Sequence, residues 1–131
     1  MIDIESKVYT PIAQELRLAG VNVSGEYVNA PSKFPHASIV ETDNYSVEMD
    51  SSDTETFAMI MYEVNVYSNK GNAKKSECKS IMDTISQRMY SLNFVRIACT
   101  PVPNLENASI YRMTARFRAV TDGTNIYRRT I

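Results

Sequence analysis

Between Phe57 and Tyr67 the chain alternates with period two, and Ala58, Ile60, Tyr62, Val64 and Val66 make one unbroken apolar face. On the opposite face Phe57, Met59 and Met61 give way to Glu63 and Asn65, so that face starts apolar and ends wet. Ser68–Asn72 supplies a turn, after which the period changes. Cys78, Ile81, Met82, Ile85, Met89 and Leu92 recur at helical spacing, with Lys74, Lys75, Lys79, Asp83 and Arg88 on the other side. A strand, a tight turn and an amphipathic helix thus form the unit around which the rest of the chain is organised.

Upstream, Ile4, Val8, Ile12 and Leu16 recur every fourth residue, with Ala13 and Ala19 beside the stripe. Pro11 leaves two readings: a helix start with Thr10 as N-cap, or a kink in a longer helix. Gly20 is a stop signal. Val21–Val28 alternates as a first strand, in which Gly25 suggests a bulge or a close backbone approach. Asn29–Pro35 is a connector, because its two prolines cannot donate to a ladder. His36–Thr42 reads as a second strand. Asp43–Thr54 reads as a flexible acidic loop, although Tyr45, Val47 and Met49 alternate as a short hairpin arm would. Downstream of the helix, Asn93–Thr100 is a strand with Val95, Ile97 and Cys99 on one face, ended by Pro101 and Pro103. Asn104–Asn107 makes a turn.

Ile110–Val120 is the second long strand. Tyr111, Met113, Ala115, Phe117 and Ala119 point one way; Arg112, Thr114, Arg116 and Arg118 point the other. Asp122-Gly123 is a hairpin signal, with Asn125–Ile131 as a candidate last strand. The order α-β-β-β-α-β-β(-β), joined by short turns, predicts a single α+β domain over 1–131: a mostly antiparallel sheet with two helices packed on one face.

Composition narrows the function classes. With 131 residues, 44% hydrophobic and 22% charged, the chain is globular and holds one core. A formal net charge of -1 argues against nucleic acid as the main partner. The distribution of charge says more. Six acids and no base lie between Glu41 and Glu55, whereas five arginines stand against Glu106 and Asp122 from Pro101 onward. Separate acidic and basic regions suit pairing with copies of the chain or with a complementary partner; the plainer reading is an acidic loop that is simply solvated. The acidic start Met-Ile-Asp-Ile-Glu is unlike a secretory leader and no apolar run is long enough for a membrane span, so the expectation is a cytoplasmic protein with no membrane partner. Cys78 and Cys99 are isolated and read as buried thiols rather than as a disulfide or metal ligands.

No catalytic set, cofactor motif or metal-ligand spacing stands out. His36 is the only histidine, no glycine-rich loop follows a strand, and the carboxylates gather in the expected loop. The expectation is a protein that is not an enzyme and needs no cofactor or metal. Arg112, Arg116 and Arg118 admit three readings: ion pairs across the sheet with Glu63 and similar acids, a subunit interface, or a grip on nucleic acid if aromatics stand beside them. Met59 and Met61 form either an exposed apolar patch or a second core layer against the other helix.

Taken in order, an N-terminal helix, a short strand, Pro31-Ser-Lys-Phe-Pro-His-Ala-Ser-Ile-Val-Glu41, a polar stretch and a long strand ending Tyr62-Glu-Val-Asn-Val-Tyr-Ser-Asn69 lead to a helix carrying Lys79-Ser-Ile-Met-Asp-Thr-Ile85. A strand, a proline-containing turn and Ile110-Tyr-Arg-Met-Thr-Ala-Arg-Phe117 close the pattern. Over nearly its whole length the chain resembles the tail-terminator, or tail-completion, proteins of long-tailed bacteriophages. The resemblance implies a structural virion protein, assembled in the bacterial host cytoplasm. It would form a hexameric ring on the tail tube, end tube polymerisation and present the head-joining surface. Its implied partners are further copies of itself, the tail tube protein and a head–tail connector protein, with at most loose contact with passing DNA. Under that expectation Asp43, Glu48, Asp50, Asp53, Arg112, Arg116, Arg118 and Arg128 are the candidate subunit- or tube-interface residues. The alternatives are another phage neck or connector ring protein (a stopper or head-completion protein) and a small RNA-binding α+β module.

Overall fold

A computed structural model of the chain describes residues 1–28, 31–49, 55–102 and 108–128. The long apolar strand is β3 (Glu55–Ser68). It is paired on one side with β2 (His36–Met49) and on the other with β5 (Tyr111–Thr121). Around this triplet the sheet runs β1-β2-β3-β5-β4, with β1 at Asn22–Ser24 and β4 at Val95–Val102. A short β6 (Ile126–Arg128) pairs with Ala119–Thr121 of β5, beyond the stretch that β4 covers. All pairings are antiparallel except β1 with β2. Helices α1 (Glu5–Leu18) and α2 (Lys74–Ser91) both pack on one face, which gives the expected α+β architecture.

The two periodicities meet in the core. Val8, Ile12 and Leu16 of α1 and Cys78, Ile81, Met82, Ile85 and Met89 of α2 are buried against Ala58, Ile60, Tyr62, Val64 and Val66 of β3 and Met113, Ala115, Phe117 and Ala119 of β5. Tyr62 and Phe94 meet edge to face at 5.6 Å, a favoured arrangement for aromatic quadrupoles. Pro11 sits inside α1 rather than at its start. Its side is exposed, so the carbonyl of Lys7 that loses an amide partner faces water.

Each helix ends in the same device. Gly20 (φ +85°) and Asn93 (φ +68°) adopt the left-handed conformation just past α1 and α2. Their amides donate to Arg17 O and Tyr90 O, and the next amides, of Val21 and Phe94, donate to Leu16 O and Met89 O. Both reversals turn a buried apolar residue, Val21 or Phe94, into the core. Asn93 therefore belongs to the helix end, and the strand expected from it begins at Val95.

Three further sequence expectations are corrected. The stretch expected as a flexible loop from Asp43 to Thr54 is strand as far as Met49, and β3 already begins at Glu55. The apolar first half of β3 needs a partner for its backbone and side chains. The end of β2 supplies it, with Asp43 opposite Met61 and Tyr45 opposite Met59, and register shifts after Ser46 break the Tyr45, Val47, Met49 alternation in the pairing. Asn44 also ties this arm to the start of the chain through Ile2 O at 2.7 Å. The second correction is β1, which stops at Ser24 because the Ser24 hydroxyl closes a turn with the backbone of Glu26. Third, a register shift between Arg96 and Ala98 breaks the Val95/Ile97/Cys99 face: Ile97 is exposed and Cys99 packs on the core. The Asp122-Gly123 signal is a turn as expected, with Gly123 at φ +95° and the Asp122 carboxylate accepting from the amides of Thr124 and Asn125. Those two amides hold the Asp122 carboxyl below its ordinary range.

Candidate functional site

Both helices lie on one side, so the other face of the sheet is where side chains are available for function. Strand register arranges that face in rows across β2, β3, β5 and β4. They read His36–Tyr67–Arg112–Val102, Ser38–Asn65–Thr114–Thr100, Val40–Glu63–Arg116–Ala98 and Asp43–Met61–Arg118–Val95. The next row, Tyr45–Met59–Val120, ends on Tyr127 of β6. The face is polar at the end near His36 and apolar at the end near Phe57, where Phe57 and Tyr127 meet edge-on at 6.2 Å.

The three arginines of β5 have three different fates. The Arg112 guanidinium donates twice to Asn65 Oδ1, at 3.0 and 2.8 Å, and the Thr114 hydroxyl donates to the same oxygen at 2.6 Å. It also lies over the rings of Tyr27 and Tyr67, 5.9 and 5.5 Å from their centroids. Tyr67 in turn donates to Val28 O at 3.0 Å, so this cluster fastens the chain after β1 onto the sheet. Arg116 pairs with Glu63 at 3.4 Å across β5 and β3, as the cross-sheet reading expects. Arg118 is half-buried between Met61 and Val95, its Nε has no contact with solvent, and among the described residues nothing accepts from it.

Arg112 and Tyr67 do not offer the open stacking platform that a nucleic-acid grip requires. Tyr67 is 1% exposed, and both of its neighbours in the cluster are occupied with each other. Of the acidic candidates, Asp43 is exposed on β2, in the same row as Arg118 with Met61 between them. Glu48 lies in β2 and Arg128 in β6, their side chains outside the described residues; Asp50 and Asp53 lie outside them altogether.

Met59 and Met61 follow neither of the two sequence readings fully. Met59 is 4% exposed and Met61 half-buried, yet both helices pack on the opposite face. Exposed Tyr45 and Tyr127 flank them, in the row of Met59.

His36 and the cysteines do not converge. His36 stands on the helix-free face beside Tyr67, 6.2 Å between ring centres, and burial holds its imidazole below the ordinary pKa. Cys78 lies on the helix side, 3.4 Å from Tyr111 O and 3.6 Å from Val66 O, with burial pushing its thiol up to about 12. Among the described residues no group of three or more histidine, cysteine or carboxylate side chains is placed to hold a metal. A surface groove of about 650 Å³ between the end of α2 and β4 is floored by Phe94 and Phe117 and lined by Ser86, Tyr90 and Arg96.

Sequence reasoning missed the Tyr27–Arg112–Tyr67–Asn65 cluster. Period-two alternation placed Arg112 and Asn65 on the same face, but only the register of β3 against β5 sets them within reach of each other. No protein-family model and no curated protein matches this chain.

Proposed function

We propose that this chain is a structural subunit that assembles with copies of itself into a ring capping the tail tube of a long-tailed bacteriophage. The ring ends tube polymerisation and offers the surface to which the head joins. One observation carries the reading. The helix-free face holds a half-buried arginine, Arg118, whose Nε is shielded from solvent and has no acceptor among the described residues, on a chain whose β2–β3 stretch is rich in carboxylates. Tyrosine, methionine and arginine are the side chains enriched at protein interfaces. Acid and base borne on one subunit suit contacts between copies of it. The element order supports the same reading, since it is the order on which the tail-terminator resemblance rests.

The mechanism is binding alone. Each subunit presents one surface to its neighbour and another to the last ring of the tube, and polymerisation stops where the exposed ring no longer repeats the tube surface. Electron microscopy of the purified protein mixed with isolated tail tubes, and separately with filled heads, tests this. Rings on tube ends are the expected result. Attachment to filled heads but not to tubes favours a stopper or head-completion role, and no attachment to either overturns the proposal.

A further inference from the structure

The row Asp43–Met61–Arg118 points to the contact between copies. Its two charged groups stand on the same face with Met61 between them, two strand spacings or roughly 10 Å apart along the row. The two groups do not pair with each other across Met61, and among the described residues neither has a hydrogen-bonded or ionic partner. Arg118 is the more telling of the two. A guanidinium N–H shielded from water with nothing to accept it is costly, and such groups are rare in native folds. Arg112 and Arg116, on the same strand, both have acceptors. The difference lies in what β3 offers: Arg116 faces Glu63 and Arg112 reaches Asn65 in the neighbouring row, whereas Arg118 faces Met61, which cannot accept.

We infer that a second copy of this chain covers the helix-free face at this row, its Asp43 carboxylate meeting Arg118. The contact has the chemistry such a pair needs. Met61, Val95 and nearby Met59 are apolar and exclude water, which strengthens a charge-assisted hydrogen bond. Tyr45 and Tyr127, 51% and 45% exposed, flank the row with large, rigid side chains. Asp43 is itself reachable: it is exposed, and among the described residues β1 pairs only with His36–Ser38 of β2. Nucleic acid fits the row less well, since the only cation in it is bracketed by apolar side chains and shares the row with a carboxylate. The inference rests on the reading of the chain as a self-assembling subunit and is independent of what the assembly caps.

Charge exchange tests it. Arg118→Glu and Asp43→Lys should each weaken self-association about tenfold or more, measured by sedimentation over a range of concentrations, with melting temperature recorded for both. An equimolar mixture of the two should restore mixed assemblies, because each variant then offers the charge the other lacks. The double variant Asp43→Lys/Arg118→Glu should assemble on its own. Asp43 is exposed, so its variant reports on assembly even if the Arg118 change disturbs folding. Wild-type association by both single variants, or a mixture no better than either alone, overturns the inference. So does a wild-type protein that stays at the 14.8 kDa of one chain throughout. Tube capping that persists in variants with wild-type association would sink this contact while leaving the proposed function standing.

Discussion

Replacing Arg112 with alanine tests whether this arginine belongs to the fold or to an interface. Its guanidinium makes two bonds to the buried Asn65 Oδ1 and lies over two tyrosine rings. Hydrogen bonds from a charged donor contribute about 1.5–3 kcal/mol, and each ring contact about 0.5–1 kcal/mol. Freeing a long side chain on truncation offsets up to roughly 2 kcal/mol of that. With the full offset the net cost of Arg112→Ala is therefore about 2–6 kcal/mol, a fall of roughly 6 °C or more in melting temperature for a domain of this size. Arg116→Ala is the internal control. Arg116 is 55% exposed and makes one contact at 3.4 Å, so its loss should cost about 0–1 kcal/mol. Differential scanning calorimetry on both variants, with Asn65→Ala and the Arg112→Ala/Asn65→Ala double variant to close a cycle, isolates the coupling. Equal losses for Arg112→Ala and Arg116→Ala, or no coupling between Arg112 and Asn65, would refute the latch. The consequence for assembly work is direct. Charge reversal at Arg112 perturbs the fold, so its effect on ring formation cannot be read as an interface effect, whereas the exposed Asp43 is free of that confusion.

Two further outcomes follow from the same geometry. Asn93→Ala should cost about 2 kcal/mol in urea titration, because alanine is strained at φ +68° and the 2.8 Å bond from Asn93 Nδ2 to Ile126 O is lost; an unchanged midpoint would contradict it. For His36, burial lowers the folded pKa below 6.5, so the unfolded chain takes up the proton first and stability drains away as pH falls below that value. The wild type should lose more stability than His36→Gln between pH 7.5 and 5.5, by at most about 1.4 kcal/mol per pH unit, and parallel pH profiles would exclude the effect.

The sequence alone determined what depends on short-range periodicity. Spacing placed the α1 and α2 stripes, both faces of β3 and the two faces of β5, and Gly20 and Asp122-Gly123 marked their turns. Local signals act over one or two turns or pleats, where each residue's direction follows from its neighbours' geometry. Composition also separated the acids of the hairpin from the arginines of β5. Tertiary structure decided the rest. Nothing local shows that the acidic stretch pairs with the apolar start of β3, since that ladder depends on what β3 requires rather than on what residues 43–49 prefer. Nor does alternation distinguish Arg112, Arg116 and Arg118. Which arginine finds an amide, which a carboxylate and which a methionine is set by the register of β3 against β5, strands nearly fifty residues apart in places, where a shift of one residue would exchange every partner.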